Sequence, residues 1–288
     1  MLLQLENLTY IYQSPFSPVR KALSGISLEV HPQEILAIVG ATGSGKTTLI
    51  QHFNGLLKPT EGRVLVDSRD IFGPQSDLGW VRKRIGLVFQ FPEIQLFEDT
   101  VYDDIAFGPR NLGLSEKLVE NRIRSSLKLV DLDFQKFSKL SPFQLSGGEK
   151  RRVAIAGVLA MEPEVLILDE PTVGLDQNAA ARVEEILKRY HRQGRTIIFV
   201  SHNMDLVARL ASRVVVLKKG KLQFDGSKVE LFQNKAILED AGLVLPQVCQ
   251  FMQNLRKQGF SVRTDVFTVE EAKEEIGRVL GNKFTLHN

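Results

Sequence analysis

VGATGSGKTT, Val39 to Thr48, is the stretch that decides the fold. It follows the apolar run Ile35 to Val39, the pattern of a strand covered on both faces, and precedes the helical run TTLIQHFNGLL. Gly40 to Thr47 fits the pattern Gly, four residues, then Gly-Lys-Ser/Thr, in the strand-to-helix setting that gives it physical meaning. Glycines let the backbone curl so that successive amide N–H groups converge on phosphate oxygens, and the helix start adds partial positive charge. Gly40, Ala41, Thr42, Gly43, Ser44, Gly45, Lys46, Thr47 and Thr48 are therefore expected to cradle a nucleotide's phosphates. Lys46 would reach the β and γ phosphates, and the Thr47 hydroxyl would ligate magnesium.

Outward from this loop, strand and helix signals alternate, which predicts an α/β domain with a mixed, largely parallel sheet. Residues 3–12 and 26–30 read as early strands, and RIGLVFQ, EVLILDE, RTIIFVSH and RVVVLKKGK as later ones. Between Phe91 and Pro163 the pattern turns helical. LSEKLVENRIRSSLKLV carries apolar residues near every third or fourth position, which predicts a helical insertion between two strands.

A third region follows Gly226. Ser227 with Glu230, and Thr268 with Glu271, read as capping boxes; Pro246 leads a helix with Val248, Phe251, Met252 and Leu255 on one face, and Gly259 and Gly281 supply stops. The chain thus divides into residues 1–226, with the helical part at about 91–163, and an accessory region 227–288. That region packs either on the main domain or in a dimer contact.

Composition narrows the function classes. The chain has 288 residues, 43% hydrophobic and 25% charged, which is ordinary for a globular protein. A net charge of +3 gives no sign of nucleic acid as a partner. Cys249, the single cysteine, cannot form an internal disulfide, which suits a reducing compartment. No apolar run approaches the roughly 20 residues that span a bilayer, and MLLQLENLTY lacks the pattern of a signal peptide. The five histidines show no metal-ligand spacing.

A second motif, LSGGEKRRVA at Leu145–Ala154, is followed by VLILDEPTVGLD at Val165–Asp176. Two glycines after Ser146 make another anion-binding helix start, and one domain does not need two of these for one triphosphate. With these motifs, about residues 1–230 resemble the ATP-binding-cassette (ABC) ATPases. The resemblance implies two cassettes meeting head to tail, with each ATP between the phosphate loop of one and the signature loop of the other. Ser146, Gly147 and Gly148 would then contact the γ-phosphate held by the partner cassette. Glu149 departs mildly from the glutamine frequent in the family. Asp169, at the end of a buried-looking strand, is placed to hold magnesium, and Glu170 to polarise the attacking water. The resemblance also makes His202 the switch histidine, Gln90 the magnesium-sensing glutamine, Asp176 part of the loop crossing to the partner, and Tyr12 the aromatic on adenine. Tyr12 is equally an alternating strand residue beside Tyr10.

Gln90 and Leu145 are too close in the chain to hold the long coiled coils of the DNA-repair relatives. FQFPEIQLFEDTVYDDIAFGPRNLG (Phe89–Gly113), GVLAMEPEVLILDEPTVGLD (Gly157–Asp176) and, less specifically, LEDAGLVLPQV (Leu238–Val248) resemble the energy-coupling factor (ECF) transporters and their cobalt and nickel relatives. More narrowly, they are similar to the second of the two paired ATPase subunits. That implies a peripheral ATPase at the cytoplasmic face of the membrane, powering uptake of vitamins or other micronutrients. Its partners would be a sister ATPase, either a different chain or a second copy of this one, a transmembrane scaffold that docks on Phe91–Pro109, and small substrate-binding membrane subunits. Cobalt or nickel import is the nearer alternative, and a soluble ABC ATPase acting on nucleic acid or ribosomes the more distant one.

Overall fold

The computed structural model describes residues 2–14, 17–74 and 76–280. Its strands are β1 (Leu3–Ser14), β2 (Ser17–Val30), β3 (Ile35–Val39), β4 (Glu61–Val66), β5 (Arg69–Asp70), β6 (Ile85–Val88), β7 (Val165–Asp169), β8 (Thr196–Val200), β9 (Arg213–Lys218) and β10 (Lys221–Ser227). The helices of the cassette are α1 (Lys46–Phe53), α2 (Leu78–Arg84), α3 (Val101–Asn111), α4 (Glu116–Leu129), α5 (Phe134–Phe137), α6 (Gly147–Leu159), α7 (Gln177–Arg192) and α8 (Met204–Leu210). After β10 come α9 (Lys228–Gln233), α10 (Lys235–Ala241), α11 (Gln247–Lys257) and α12 (Val269–Leu280).

A six-stranded sheet of order β10-β9-β3-β8-β7-β6 forms the centre, parallel throughout except for the β9–β10 pair. Every residue of β3, β7 and β8 is buried. The two-residue strand period divides these side chains between two cores. Ala37, Val39, Leu166, Leu168, Ile197 and Phe199 join one cluster with the helices of the insertion and α7. Leu36, Ile38, Val165, Ile167, Ile198 and Val200 join the other, with α1 and a second sheet. A strand apolar on both faces gives no alternation to read, which is why the sequence showed plain apolar runs.

The second sheet is antiparallel, of order β2-β1-β4-β5. It corrects the early-strand reading. β2 begins at Ser17, not at residue 26, and pairs along the length of β1 through several register shifts. Those shifts break the alternation that marks a strand in sequence.

The insertion is helical as expected, with α3, α4 and α6 packed on one another. Both C-terminal capping boxes also form: Ser227 with Glu230, and Thr268 with Glu271. On α11 the buried face is Cys249 and Met252, flanked by Val248 and Leu255. Phe251, expected on that face, is 51% exposed, whereas Cys249 is 1% exposed, belongs to the larger core and donates to the Val266 carbonyl at 3.3 Å. Gly281, expected to end α12, lies outside the described residues.

Candidate nucleotide site

Parallel β3, β7 and β8 all end at one edge of the sheet, so the segments that follow them meet there. The phosphate loop is pressed against its neighbours at two glycines. A Cβ on Gly40, at φ 144°, would lie 2.2 Å from the Leu217 carbonyl oxygen, and one on Gly45, at φ 108°, would lie 2.8 Å from that of Ala22. Gly45 also caps α1 without any side-chain hydrogen bond, leaving the first amides of the helix for a ligand. The Lys46 Nζ donates to the carbonyls of Gly40 (2.8 Å) and Ala41 (3.1 Å). Burial lowers its pKa, against the opposing pull of Glu170 and Asp169. The Ser44 hydroxyl is buried with no hydrogen-bond partner among the described residues.

Asp169 ends β7 only 4% exposed, and its Oδ2 accepts a 2.8 Å hydrogen bond from the Thr47 hydroxyl. Burial pushes this carboxyl up, and the Thr47 bond opposes the shift. Glu170 takes left-handed backbone geometry, φ 49°, uncommon away from glycine, with its N–H bonded to the Val200 carbonyl at 3.0 Å. Its carboxylate lies 2.9 Å from the His202 ring Nδ1 and 3.4 Å from the His202 backbone nitrogen. A carboxylate oxygen accepts in this contact, so Nδ1–H donates, and Nε2 has no hydrogen-bond partner among the described residues. The His202 side chain is 68% exposed.

These groups line one cleft of about 550 Å3, together with Tyr12, Thr42, Gly43, Gly45, Thr48 and Gln90. Gly40, Ala41 and Ser44 are not among its lining residues. The Tyr12 hydroxyl sits 3.2 Å from the Thr48 hydroxyl, and its ring packs edge-on to Tyr10 at 4.8 Å. Arg20 also lines the cleft and was missed in the sequence, where it stands in no motif.

Ser146, Gly147, Gly148 and Asp176 gather elsewhere, in a second cleft of about 470 Å3 that shares no lining residue with the first. Ser146 caps α6 and Asp176 caps α7. Glu149 completes a capping box: its carboxylate accepts from the Ser146 N–H (2.9 Å) and hydroxyl (2.7 Å). Between the clefts runs a tie that no local pattern announced. Arg151, 1% exposed, grips Glu93 with two bonds (2.7 and 3.0 Å) and donates to the carbonyls of Pro171 (3.0 Å) and Val173 (3.1 Å).

A third hollow, apolar and about 400 Å3, lies between α3, α6 and the 3₁₀ turn Pro92–Gln95. Phe97 and Phe107 line it and meet edge to face at 5.2 Å. Among the described residues no helix is long and apolar enough to cross a membrane.

The phosphate loop after β3, an Asp-Glu pair at the end of β7 two strands away, a histidine on that glutamate and a remote Ser-Gly-Gly helix start define an ABC ATPase cassette. The ABC transporter family model matches residues 23–173. The energy-coupling factor transporter ATP-binding protein EcfA2 of Clostridium tetani is 49% identical over 99% of both chains, and that of Clostridium perfringens is 47% identical over 98% of this chain and 99% of its own. Among solved structures, CbiO1 of Clostridium perfringens, described as part of the ABC transporter complex CbiONQ, aligns with TM-score 0.72 at 39% identity, over 88% of this chain and 98% of that one. A dimeric cassette, MJ0796 bound to ADP and Pi in a post-hydrolysis state, aligns with TM-score 0.69 at 29% identity, over 78% of this chain and 98% of its own. The chain belongs to the energy-coupling factor transporter ATP-binding proteins of the ABC family. It is an ATP-hydrolysing subunit of an importer.

Proposed function

We propose that the first cleft holds one ATP and that the second completes the ATP site of a sister cassette. The observation that supports this reading is the division of the phosphate-loop residues, Asp169, Glu170 and His202 on one side and Ser146, Gly147, Gly148 and Asp176 on the other between two separate clefts of one chain. Tyr12 would stack on adenine, residues 40–48 would wrap the phosphates, and Lys46 would exchange its loop carbonyls for phosphate oxygens. Ser146, Gly147, Gly148 and Asp176 would meet the partner's nucleotide.

Magnesium fits the first cleft. The Thr47 hydroxyl, the Asp169 carboxylate and the Gln90 side-chain amide are hard oxygen donors, and magnesium binds through one or two carboxylates, waters and phosphates. Among the described residues no group of three or more His, Cys, Asp or Glu forms a site of its own, which agrees with an ion shared with the nucleotide. Once bound, it would neutralise charge on the β and γ phosphates.

For hydrolysis, Glu170 would take a proton from the attacking water. His202 would hold the Glu170 carboxylate through Nδ1–H and, when Nε2 carries a proton as well, donate from it to a γ-phosphate oxygen. Closure of two cassettes on ATP and reopening after hydrolysis is a rigid-body transition in which the helical insertion travels with the cassette. Through the Phe97–Phe107 hollow that motion would reach a transmembrane scaffold, with substrate delivered by small membrane subunits. The chain would then sit peripherally on the cytoplasmic face. Residues 1–226 would form the cassette, with 91–163 its helical part, and 227–288 the accessory region, whose small separate core of Met252, Val262, Val266 and Ala272 supports that division. Vitamins or other micronutrients are the proposed cargo. Cobalt or nickel import is the second reading, favoured by the resemblance in the sequence.

The test is Glu170→Gln in the assembled transporter. It should bind ATP as before while turnover falls by at least about 100-fold, the usual contribution of a positioned base. Near-normal turnover would overturn the role of Glu170. Co-purification from gently solubilised membranes, with identification of the small membrane proteins recovered, separates the two cargo readings.

A further inference from the structure

Four cations line a recess that the nucleotide chemistry does not use. It lies where α4 meets the end of α7 and the start of β8, measures about 550 Å3, and shares no residue with either nucleotide-related cleft. Two of its cations are balanced. Arg122 pairs with Glu162 at 3.0 Å, and Arg189 makes a fork with Asp131 at 2.8 and 2.5 Å. Lys128 and Arg195 have no carboxylate partner among the described residues.

Arg195 rests over the ring of Tyr190, 5.9 Å from its centroid. The Tyr190 hydroxyl is already committed to the Pro163 carbonyl at 2.6 Å. The Nε atoms of Arg189 and Arg195 are both buried and lack a hydrogen-bond partner among the described residues. Leaving a buried charged donor unpaired is costly, and native structures leave few of them.

We infer that this recess binds a phosphoryl group, held between α4 and the α7–β8 corner by Arg195 and Lys128. A phosphate monoester carries a charge of about −1.5 to −2 at neutral pH, which matches the two uncompensated cations. The planar guanidinium and the nearby Ser125 hydroxyl suit a tetrahedral oxyanion. The phosphate is borne either by a soluble metabolite or by a lipid headgroup. Bound there, it joins the helical insertion to the strand that leads to His202.

Pyrophosphate is the probe, titrated calorimetrically into the full-length Lys46→Ala chain so that the phosphate loop contributes little. One pyrophosphate site should remain, and adding Arg195→Gln should weaken it by about tenfold or more, the effect of losing one charged hydrogen bond. Arg195→Lys should recover part of the loss. Lys128→Gln, at an exposed position, should weaken the same site and serves if Arg195→Gln disturbs folding. ATP affinity of the chain carrying Arg195→Gln alone should be unchanged. Absence of a pyrophosphate site in Lys46→Ala, or a site indifferent to both Arg195→Gln and Lys128→Gln, overturns the inference. Sedimentation with phosphatidylglycerol vesicles then separates the sources: dependence on Arg195 assigns the phosphate to a headgroup, and equal sedimentation of both chains assigns it to a soluble anion.

Discussion

Glu149 holds its charge because two hydrogen bonds from Ser146 keep its carboxyl below the usual range. On the proposed pairing, that negative charge sits beside the γ-phosphate bound by the sister cassette. Glu149→Gln keeps the capping box, which glutamine also satisfies, and removes the repulsion. Two unit charges at close range in a wet cleft repel by about 1 kcal/mol, so KM for ATP should fall roughly fivefold in steady-state assays of the assembled complex. An unchanged or higher KM would mean that Glu149 does not face the nucleotide. At this scale much of the site was legible, because phosphate loops and strand-end carboxylates have spacings set by local backbone geometry. Arg20 and Arg151 were not, since each acts through contacts made only in the fold. Phe251 and Cys249 traded places for the same reason: helical spacing marks a face, and the packing partner decides which edge of it is covered.

Among the elements, α6 is joined to the 3₁₀ turn after β6 and to the loop after β7 by the single guanidinium of Arg151. Breaking a buried ion pair from one side leaves the other charge uncompensated, at a cost of about 3 to 5 kcal/mol. Arg151→Met should lower stability by about that much in urea denaturation. Combined with Glu93→Met it should cost less than the sum of the two single changes, by about 1 to 3 kcal/mol. Strict additivity would show that the pair does not act as a unit. Capping boxes and the helical insertion were readable at this level because their signals are local. The antiparallel sheet was not, since the register shifts between β1 and β2 disturb the alternation that would have revealed it.

Across the whole molecule, stability should carry the mark of one buried histidine. The His52 ring Nδ1 lies 2.7 Å from the Thr48 carbonyl and so donates its proton there; Nε2 is buried without a partner among the described residues, and Tyr10 packs edge-on at 4.9 Å. Burial holds its pKa down at about 4, from 6.5. The unfolded chain therefore binds more protons than the folded one between these values. His52's contribution is fully present above about pH 6.5, is lost as pH falls through the window, and levels off below about 4. Between pH 7.5 and 5 this amounts to about 2 kcal/mol. Urea denaturation at the two pH values should show a shallower loss for His52→Gln than for the native chain, and equal slopes would contradict the assignment. The order of motifs along the chain made the cassette legible at this scale. So was the division of the candidate phosphate residues between two places, which the second helix start after Ser146 announced; the tie that Arg151 makes between the turn after β6, α6 and the loop after β7 was not, because it depends on how the insertion sits against the sheet.

Those two clefts have a consequence for supply. On the proposed pairing, a lone chain carries half of each of two sites and completes neither. When chains are dilute, turnover should then scale with the product of the two subunit concentrations, so copies made in excess of their partner stay idle and leave cellular ATP untouched.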